Sequence, residues 1–167
     1  LKPQLLICDE PVSALDVSIQ AQILNLLKEL QQELNLTCIF IGHGLGAVNY
    51  VSDRIAVMYL GQIVELADSR ELFEHPQHPY SQALFDAVPL ADPRTRKRRG
   101  KGIIEGEAES ETGPADGCPF YPRCPRRTGE CADADMVLQS APVGSRHLVS
   151  CIHTIGGGGR VIQGGVS

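Results

Sequence analysis

The chain has 167 residues, of which 43% are hydrophobic and 21% are charged, a composition typical of a soluble globular protein. Its formal net charge of -5 argues against a nucleic-acid partner. No apolar run reaches the ~20 residues that cross a bilayer, and no secretory leader opens the sequence. We therefore expect any membrane association to come through a partner protein.

The first third of the chain predicts alternating strands and helices. Leu5–Cys8 is a short apolar run typical of a strand buried on both faces of a parallel sheet, and Thr37–Ile41 is a second such run. Between them the apolar residues of Val17–Leu34 follow helical spacing, and Asp16 or Ser18 is the expected cap. Strand–helix–strand order predicts an α/β lobe.

Shorter elements are predicted after the second strand. They are a helix at Leu45–Val51, a strand at Arg54–Leu60, its hairpin partner at Gln62–Leu66, a helix ending near Phe73 and another at Pro79–Val88. Six basic residues then fall within positions 94–101, and four glutamates follow before position 112. Such blocks of opposite charge are typical of a solvated linker.

Two adjacent carboxylates, Asp9 and Glu10, follow the first strand. Ligands of open α/β sheets bind at the carboxyl ends of the strands. Asp9 suits Mg²⁺, which prefers oxygen ligands, and Glu10 suits the polarisation of a water that attacks a phosphate. Taken alone, the pair is equally compatible with an acidic turn that has no catalytic role.

The residues that follow make this pattern more specific. Residues 13–16 have the sequence Ser-Ala-Leu-Asp, and His43 follows the second predicted strand. Together with Asp9 and Glu10, they resemble the nucleotide-binding domain of ABC transporters. The resemblance implies that the first strand is the Walker B segment, that Ser-Ala-Leu-Asp is the D-loop, and that His43 is the switch histidine.

The resemblance also implies a role for each residue. Asp9 would coordinate Mg²⁺, Glu10 would be the catalytic base, Asp16 would link two ATP sites across a dimer interface, and His43 would contact the γ-phosphate. The alternative for His43 is an ordinary strand-end histidine. Where the family commonly has Ser-His-Asp, this chain has Gly42-His43-Gly44, which removes a hydroxyl and a carboxylate and loosens the backbone.

Two parts of an ABC ATPase domain are not found in these residues. There is no phosphate-binding loop of the form Gly-x-x-x-x-Gly-Lys-Ser/Thr, and no signature stretch precedes Asp9. By resemblance the chain covers the C-terminal half of such a domain and its extension. We expect this segment alone to bind ATP weakly and to hydrolyse none.

The sequence from His75 to Tyr80 points to one group within the ABC transporter ATPases. Its His-Pro-Tyr stretch resembles the extension of the oligopeptide, dipeptide and nickel importer ATPases. The alternative is a structural one, with Pro79 in the first turn of a helix and Tyr80 in the packing. The two are compatible, and neither histidine is required as a metal ligand.

Four of the six cysteines, Cys118, Cys124, Cys131 and Cys151, lie in the last third of the chain. Four thiolates can hold a [4Fe–4S] cluster or a zinc ion, and in a zinc site His147 or His153 can replace a thiolate. Free or oxidised thiols are the third alternative. Resemblance to the dipeptide importer ATPases implies the [4Fe–4S] cluster. Cys8 and Cys38, in contrast, are expected to be small buried hydrophobic residues.

The leading prediction is therefore an α/β fold, a partial P-loop NTPase lobe with a parallel sheet and a small cysteine-rich extension. The expected segments are an ATPase part at 1–67, a helical extension at 68–92, a charged linker at 93–116, a cysteine-rich module at 117–155 and a flexible tail at 156–167.

The resemblance implies an ATP-hydrolysing subunit that energises import of dipeptides or oligopeptides from the cytoplasmic face of the inner membrane. Its cofactors would be ATP and Mg²⁺. Its partners would be a second ABC ATPase subunit (identical or different), two transmembrane permease subunits and, indirectly, an extracytoplasmic peptide-binding protein, with no nucleic acid. The alternative function is an ATPase-incompetent metal-binding or interaction module. An ATPase of DNA repair or translation fits the His-Pro-Tyr and cysteine features less well.

Overall fold

The computed structural model describes residues 3–87, 117–142 and 144–155. The chain divides into two compact units, Leu1–Ile55 and Ala56–Ser167. The predicted linker at 93–116 and the predicted tail at 156–167 lie outside the described residues.

The first unit contains two strands and two helices in the predicted order. Strand β1 (Leu5–Asp9) pairs in parallel with β2 (Thr37–Ile41), with Leu5 opposite Thr37 and Asp9 opposite Ile41. Helix α1 (Val17–Leu34) connects them, and α2 (Leu45–Val51) follows β2. The predicted bounds of α1, β2 and α2 are confirmed.

The cap of α1 shows why the helix begins where it does. The Asp16 side chain accepts hydrogen bonds from the backbone N–H groups of Ser18 and Ile19, each at 3.0 Å. These are two of the N–H groups that have no partner within a helix, so Asp16 stabilises the first turn. At the other end, Asn35 adopts the left-handed conformation with φ of 49°.

The expectation that both faces of the parallel sheet are buried is wrong for the described residues. Side chains alternate between faces along a strand, and only one face is half-buried. The other face exposes 47% of Leu5, 61% of Ile7, 47% of Ile39 and 48% of Ile41. The physical reason is that the parallel sheet has only two strands in the described residues, whereas burial on both faces is typical of larger parallel sheets.

The second unit is built around a separate sheet of four strands. Strands β3 (Arg54–Tyr59) and β4 (Gln62–Asp68) are adjacent, as predicted for a hairpin, and their turn contains Gly61 with φ of 80°. Two short strands complete the sheet in the order β3-β4-β6-β5: β5 (Gln139–Ser140) and β6 (Leu148–Val149). The mixed α/β class is thus confirmed, but β3 belongs to this sheet and does not extend the parallel one.

Two helices follow β4 in the second unit. Helix α3 (Ser69–Glu74) leads into the His-Pro-Tyr region, and α4 (Pro79–Asp86) begins at its proline, as predicted. Leu72 of α3 and Phe85 of α4 are almost completely buried in the core. No helix in the described part of the chain is long and apolar enough to cross a membrane.

A buried carboxylate on β4 connects distant parts of the second unit. The Oε1 atom of Glu65 accepts hydrogen bonds from the backbone N–H of Gln77 and from Nε2 of His147, each at 2.6 Å. Its Oε2 atom accepts from the backbone N–H of His78 at 3.0 Å. Glu65 is fully buried, so these bonds replace the water that the carboxylate loses on folding. One side chain thereby holds β4, the entry to α4 and the region of β6 together.

The Glu65–His147 pair predicts a pH dependence of stability. Burial lowers the pKa of His147, but the hydrogen bond and charge of Glu65, with a smaller effect of Glu71, raise this pKa overall. Because the folded state binds the proton more tightly than the unfolded state, the contribution is fully present below the unfolded pKa of about 6.5. We expect the free energy of unfolding, measured in urea, to fall as the pH rises through the folded-state pKa of His147.

Two variants test the origin of this pH dependence. His147→Gln should remove it and lower the free energy of unfolding by about 1–3 kcal/mol, since a buried bond to a charged group is lost. His75→Gln is the matched control, because exposed His75 also lies 3.6 Å from Glu71. An unchanged pH dependence in His147→Gln would contradict the assignment.

Candidate functional site

The carboxyl ends of β1 and β2 bring three of the predicted site residues to one edge of the first unit. The backbone N–H of Glu10 donates to the carbonyl of Ile41 at 2.9 Å, which extends the parallel pairing past Asp9. His43 follows β2, and its Nδ1 lies 3.2 Å from Oε1 of Glu10. Both side chains are more than half exposed, so this edge is open to a ligand.

Glu10 adopts a backbone conformation that is unusual for a residue with a side chain. Its φ is 46°, in the left-handed region. Its carbonyl accepts bonds from the backbone N–H and the hydroxyl of Ser13, at 3.3 and 3.1 Å. Strained residues of this kind concentrate at functional sites. The turn after β1 therefore holds the Glu10 side chain in a defined position beside His43.

Asp16 lies nearby in sequence but is engaged elsewhere. Its carboxylate caps α1, as described above. A role across a dimer interface remains a prediction for this residue.

The two glycines that flank His43 differ in the space around them. A Cβ atom at Gly42 would lie 3.2 Å from the Phe40 ring, whereas at Gly44 the nearest atom would be Cβ of Ala47 at 3.9 Å.

The other predicted site is a pocket in the second unit. All four late cysteines, Cys118, Cys124, Cys131 and Cys151, line this pocket together with His78 and His153. His147 is not among the lining residues because its ring binds Glu65 instead. The two remaining cysteines, Cys8 and Cys38, are half-buried in the first unit, where full burial was expected.

The pKa values of three cysteine thiols in this pocket are raised. Burial raises the pKa of Cys118, Cys124 and Cys151, and the charges of neighbouring cysteines raise it further. For Cys151 the pKa rises to about 11, with contributions from all three other cysteines. Mutual repulsion of this kind would be reversed by a bound cation, which stabilises thiolates.

Backbone groups bind two of the sulfur atoms. The N–H of Thr128 donates to Sγ of Cys131 at 3.5 Å, and the N–H of His153 donates to Sγ of Cys151 at 3.4 Å. The side chains of Thr128 and His153 also contact each other, with Oγ1 and Nε2 separated by 2.8 Å. Even so, no three His, Cys, Asp or Glu side chains in residues 3–87, 117–142 and 144–155 are arranged to hold a single metal ion.

Gly117 is a residue of this site that the sequence analysis missed. A Cβ atom there would lie 2.1 Å from the carbonyl oxygen of Ala132, so no other residue fits without a backbone shift. The backbone N–H of Cys118 donates to the carbonyl of Cys131 at 3.0 Å. The close approach at Gly117 thus brings two of the cysteines together. Its position next to the first of these cysteines was the only available signal.

The His-Pro-Tyr region packs directly against the cysteine pocket. The Tyr80 ring lies 4.7 Å from Tyr59 and 5.5 Å from Phe120, measured between ring centroids. Phe120 is fully buried in one cluster with Cys118 and Cys131. The predicted structural role of Tyr80 and Pro79 is confirmed, and the same packing joins this region to the cysteines.

His78 is almost completely buried at the start of α4. Its Nδ1 accepts a hydrogen bond from the backbone N–H of Tyr80 at 3.0 Å, so the imidazole caps the helix. Burial lowers the pKa of His78 to about 4, against a smaller opposing effect of Glu65. The imidazole is therefore neutral at pH 7. Its Nε2 atom is buried and has no hydrogen-bond partner among the described residues.

Known proteins are similar in sequence to both units of the chain. Residues 64–131 match the family described as oligopeptide/dipeptide transporter, C-terminal region. The chain is 51% identical over 152 residues to the oligopeptide transport ATP-binding protein OppF of Escherichia coli, covering 91% of this chain and 45% of that protein. It is 46% identical over 151 residues to AppF of Bacillus subtilis, covering 90% of this chain and 45% of that protein.

A third relative agrees with these two. A putative peptide import ATP-binding protein of Brucella ovis is 48% identical over 152 residues, covering 91% of this chain and 47% of that protein. The chain thus spans about half the length of the curated relatives it matches. The resemblance inferred from the sequence is confirmed: residues 64–131 match the oligopeptide/dipeptide transporter C-terminal region, and the chain as a whole is similar to about half of an oligopeptide transport ATP-binding protein.

Proposed function

We propose that this chain is part of the ATP-hydrolysing subunit of an ABC importer for dipeptides or oligopeptides. The observation that carries the proposal is the contact between Glu10 and His43 at the carboxyl ends of adjacent parallel strands, where His43 Nδ1 lies 3.2 Å from Glu10 Oε1. The names of the relatives, which describe ATP-binding proteins of peptide transport and import, support it. The alternative of a metal-binding module without an ATPase role is not favoured by these relatives.

The geometry supports a separate role for each of the site residues. Glu10 is the proposed general base, which takes a proton from water as the water attacks the γ-phosphate. A carboxylate only accepts hydrogen bonds, so Nδ1–H of His43 donates to Glu10, which orients both groups. Phosphate oxygens also only accept, so a contact of Nε2 with the γ-phosphate requires a ring that carries a proton on both nitrogens. Exposed Asp9, at the end of β1, has the oxygen donors that Mg²⁺ prefers.

The rest of the proposed machinery comes from outside these residues. The sequence contains no phosphate-binding loop, so the proposal concerns a protein that includes this chain and the remaining length of its relatives, called the complete protein below. We propose that Asp16 acts in a dimer of two such subunits. We further propose that the dimer drives two transmembrane permease subunits from the cytoplasmic face of the inner membrane, and that a binding protein delivers the peptide.

Glu10→Gln in the complete protein tests the proposed base. The amide cannot accept the proton, so ATP hydrolysis should fall by about 10²–10⁴-fold. ATP binding, measured by calorimetry or with a fluorescent analogue, should remain. Glu33→Gln, an exposed change on α1, is the matched control and should retain full turnover. Normal turnover in Glu10→Gln would reject Glu10 as the base.

We also propose that the four late cysteines hold a [4Fe–4S] cluster. They line one pocket, and burial together with the neighbouring cysteines raises the pKa of Cys118, Cys124 and Cys151, an effect that a bound cation would reverse. No three side chains of the described residues are arranged to hold a single metal ion, so the proposal rests on the pocket that the four cysteines share and on their chemistry. When bound, the cluster would cross-link a small module and could accept an electron.

Metal analysis of anaerobically purified protein tests this part of the proposal. The complete protein should contain iron and sulfide in about equal amounts, since both atoms occur equally in the cluster. Cys131→Ser should lose most of the iron. Cys38→Ser changes a cysteine of the first unit, so it is the matched control and should retain the iron. Zinc alone, or no metal in the unchanged protein, would rule out the cluster.

A further inference from the structure

The surroundings of His78 leave one of its ring nitrogens unexplained. The side chain is 1% exposed and lines the pocket with the four cysteines. Nδ1 accepts from the backbone N–H of Tyr80 at 3.0 Å, but Nε2 has no partner among the described residues. Buried polar groups almost always have a partner, because losing water without replacing its hydrogen bond costs free energy. The missing partner is therefore expected to be a molecule that occupies the pocket.

The tautomer of His78 determines what that molecule must offer. Nδ1 accepts a hydrogen bond and so carries a lone pair. In a neutral imidazole the proton then lies on Nε2. This nitrogen is a donor, and it has no lone pair with which to bind a metal. His78 is thus suited to an electron-rich acceptor and unsuited to direct ligation.

The residues lining the pocket identify the acceptor by its chemistry. The sulfur atoms of Cys131 and Cys151 already accept bonds from the backbone N–H groups of Thr128 and His153. Two of the sulfur atoms that line this pocket thus already accept from N–H groups. An occupant bound by four cysteines and accepting from a further N–H would present sulfur of its own, such as the sulfides of an iron–sulfur cluster.

We propose that Nε2–H of His78 donates a hydrogen bond to a sulfur atom of the cluster held by Cys118, Cys124, Cys131 and Cys151. The inference rests on the proposed cluster. It gives the histidine of the His-Pro-Tyr sequence two roles at once, with Nδ1 capping α4 and Nε2 positioning the cluster. It also makes this histidine a determinant of the reduction potential, since donors to cluster sulfur stabilise the reduced, more electron-rich state.

Two substitutions at His78 separate its two roles. Asparagine places a polar atom near the position of Nδ1, so His78→Asn should keep the helix cap and lose the distal donor. Glutamine reaches further, so His78→Gln should keep a donor near the position of Nε2. We expect His78→Asn in the complete protein to retain iron and sulfide but to shift the midpoint reduction potential to a more negative value. His78→Gln should remain closer to the unchanged protein.

Labelling only the ring nitrogens of histidine with ¹⁵N gives a second readout that does not depend on comparing potentials. The backbone nitrogens stay unlabelled because the backbone N–H of His153 donates to Sγ of Cys151. The reduced cluster should show a weak hyperfine coupling to a ¹⁵N nucleus, smaller than that of a directly bound imidazole. His78→Asn should abolish this coupling. His153→Gln is the matched control and should keep it, because the His153 ring also lines the pocket but its Nε2 contacts Thr128.

The outcomes distinguish failure of this inference from failure of the cluster proposal. A cluster in the unchanged protein, with a potential and coupling that His78→Asn leaves unaltered, would overturn the role of His78 alone. Absence of iron from the unchanged protein would overturn the cluster and this inference together. A coupling as large as that of a bound imidazole would show ligation and would also overturn the proposed donor role.

Discussion

The buried carboxylate of Glu65 is the interaction on which the second unit depends. Its two oxygens accept three hydrogen bonds, from the backbone of Gln77, the backbone of His78 and the ring of His147. These donors come from the entry to α4 and from the segment just before β6, which are far apart in sequence. Burying a carboxylate costs folding free energy unless hydrogen bonds replace its lost water. Moving any one of the three donors away would leave the charge of Glu65 poorly bonded, so the carboxylate holds the three segments together.

This constraint makes the His-Pro-Tyr region and the cysteines one structural site. Glu65 fixes the backbone of His78, and His78 lines the pocket that the four cysteines share. Close approach at Gly117 brings Cys118 beside Cys131, and Tyr80 packs on Phe120 next to them. The proposed ATP-binding edge, with Glu10 and His43, belongs to the first unit. The chain thus carries two separate candidate sites, a carboxylate–histidine edge and a thiol-lined pocket.

The local elements were largely predictable, whereas the long-range contacts were not. Helical spacing and the Asp16 cap predicted α1 correctly, because both signals lie within the helix itself. The exposed face of β1 was mispredicted, since a continuous apolar run does not reveal what covers it. Glu65 was missed because a glutamate in a strand is ordinarily exposed, and its partner His147 is 82 residues away. The roles of Asp9, Glu10 and His43 came from family resemblance and remain to be tested.

The most direct test of the central claim is hydrogen–deuterium exchange in Glu65→Gln, resolved by mass spectrometry. Both oxygens of Glu65 accept, so an amide must turn its N–H₂ group toward a donor and cannot replace them. We predict that exchange at Gln77 and His78 and around the cysteines accelerates by about 10–100-fold, as expected for loss of bonds to a charged group. Glu71→Gln, which changes the other carboxylate near His147, should leave exchange at Gln77, His78 and the cysteines unaltered. Unchanged exchange in Glu65→Gln would contradict the claim that this carboxylate organises the site.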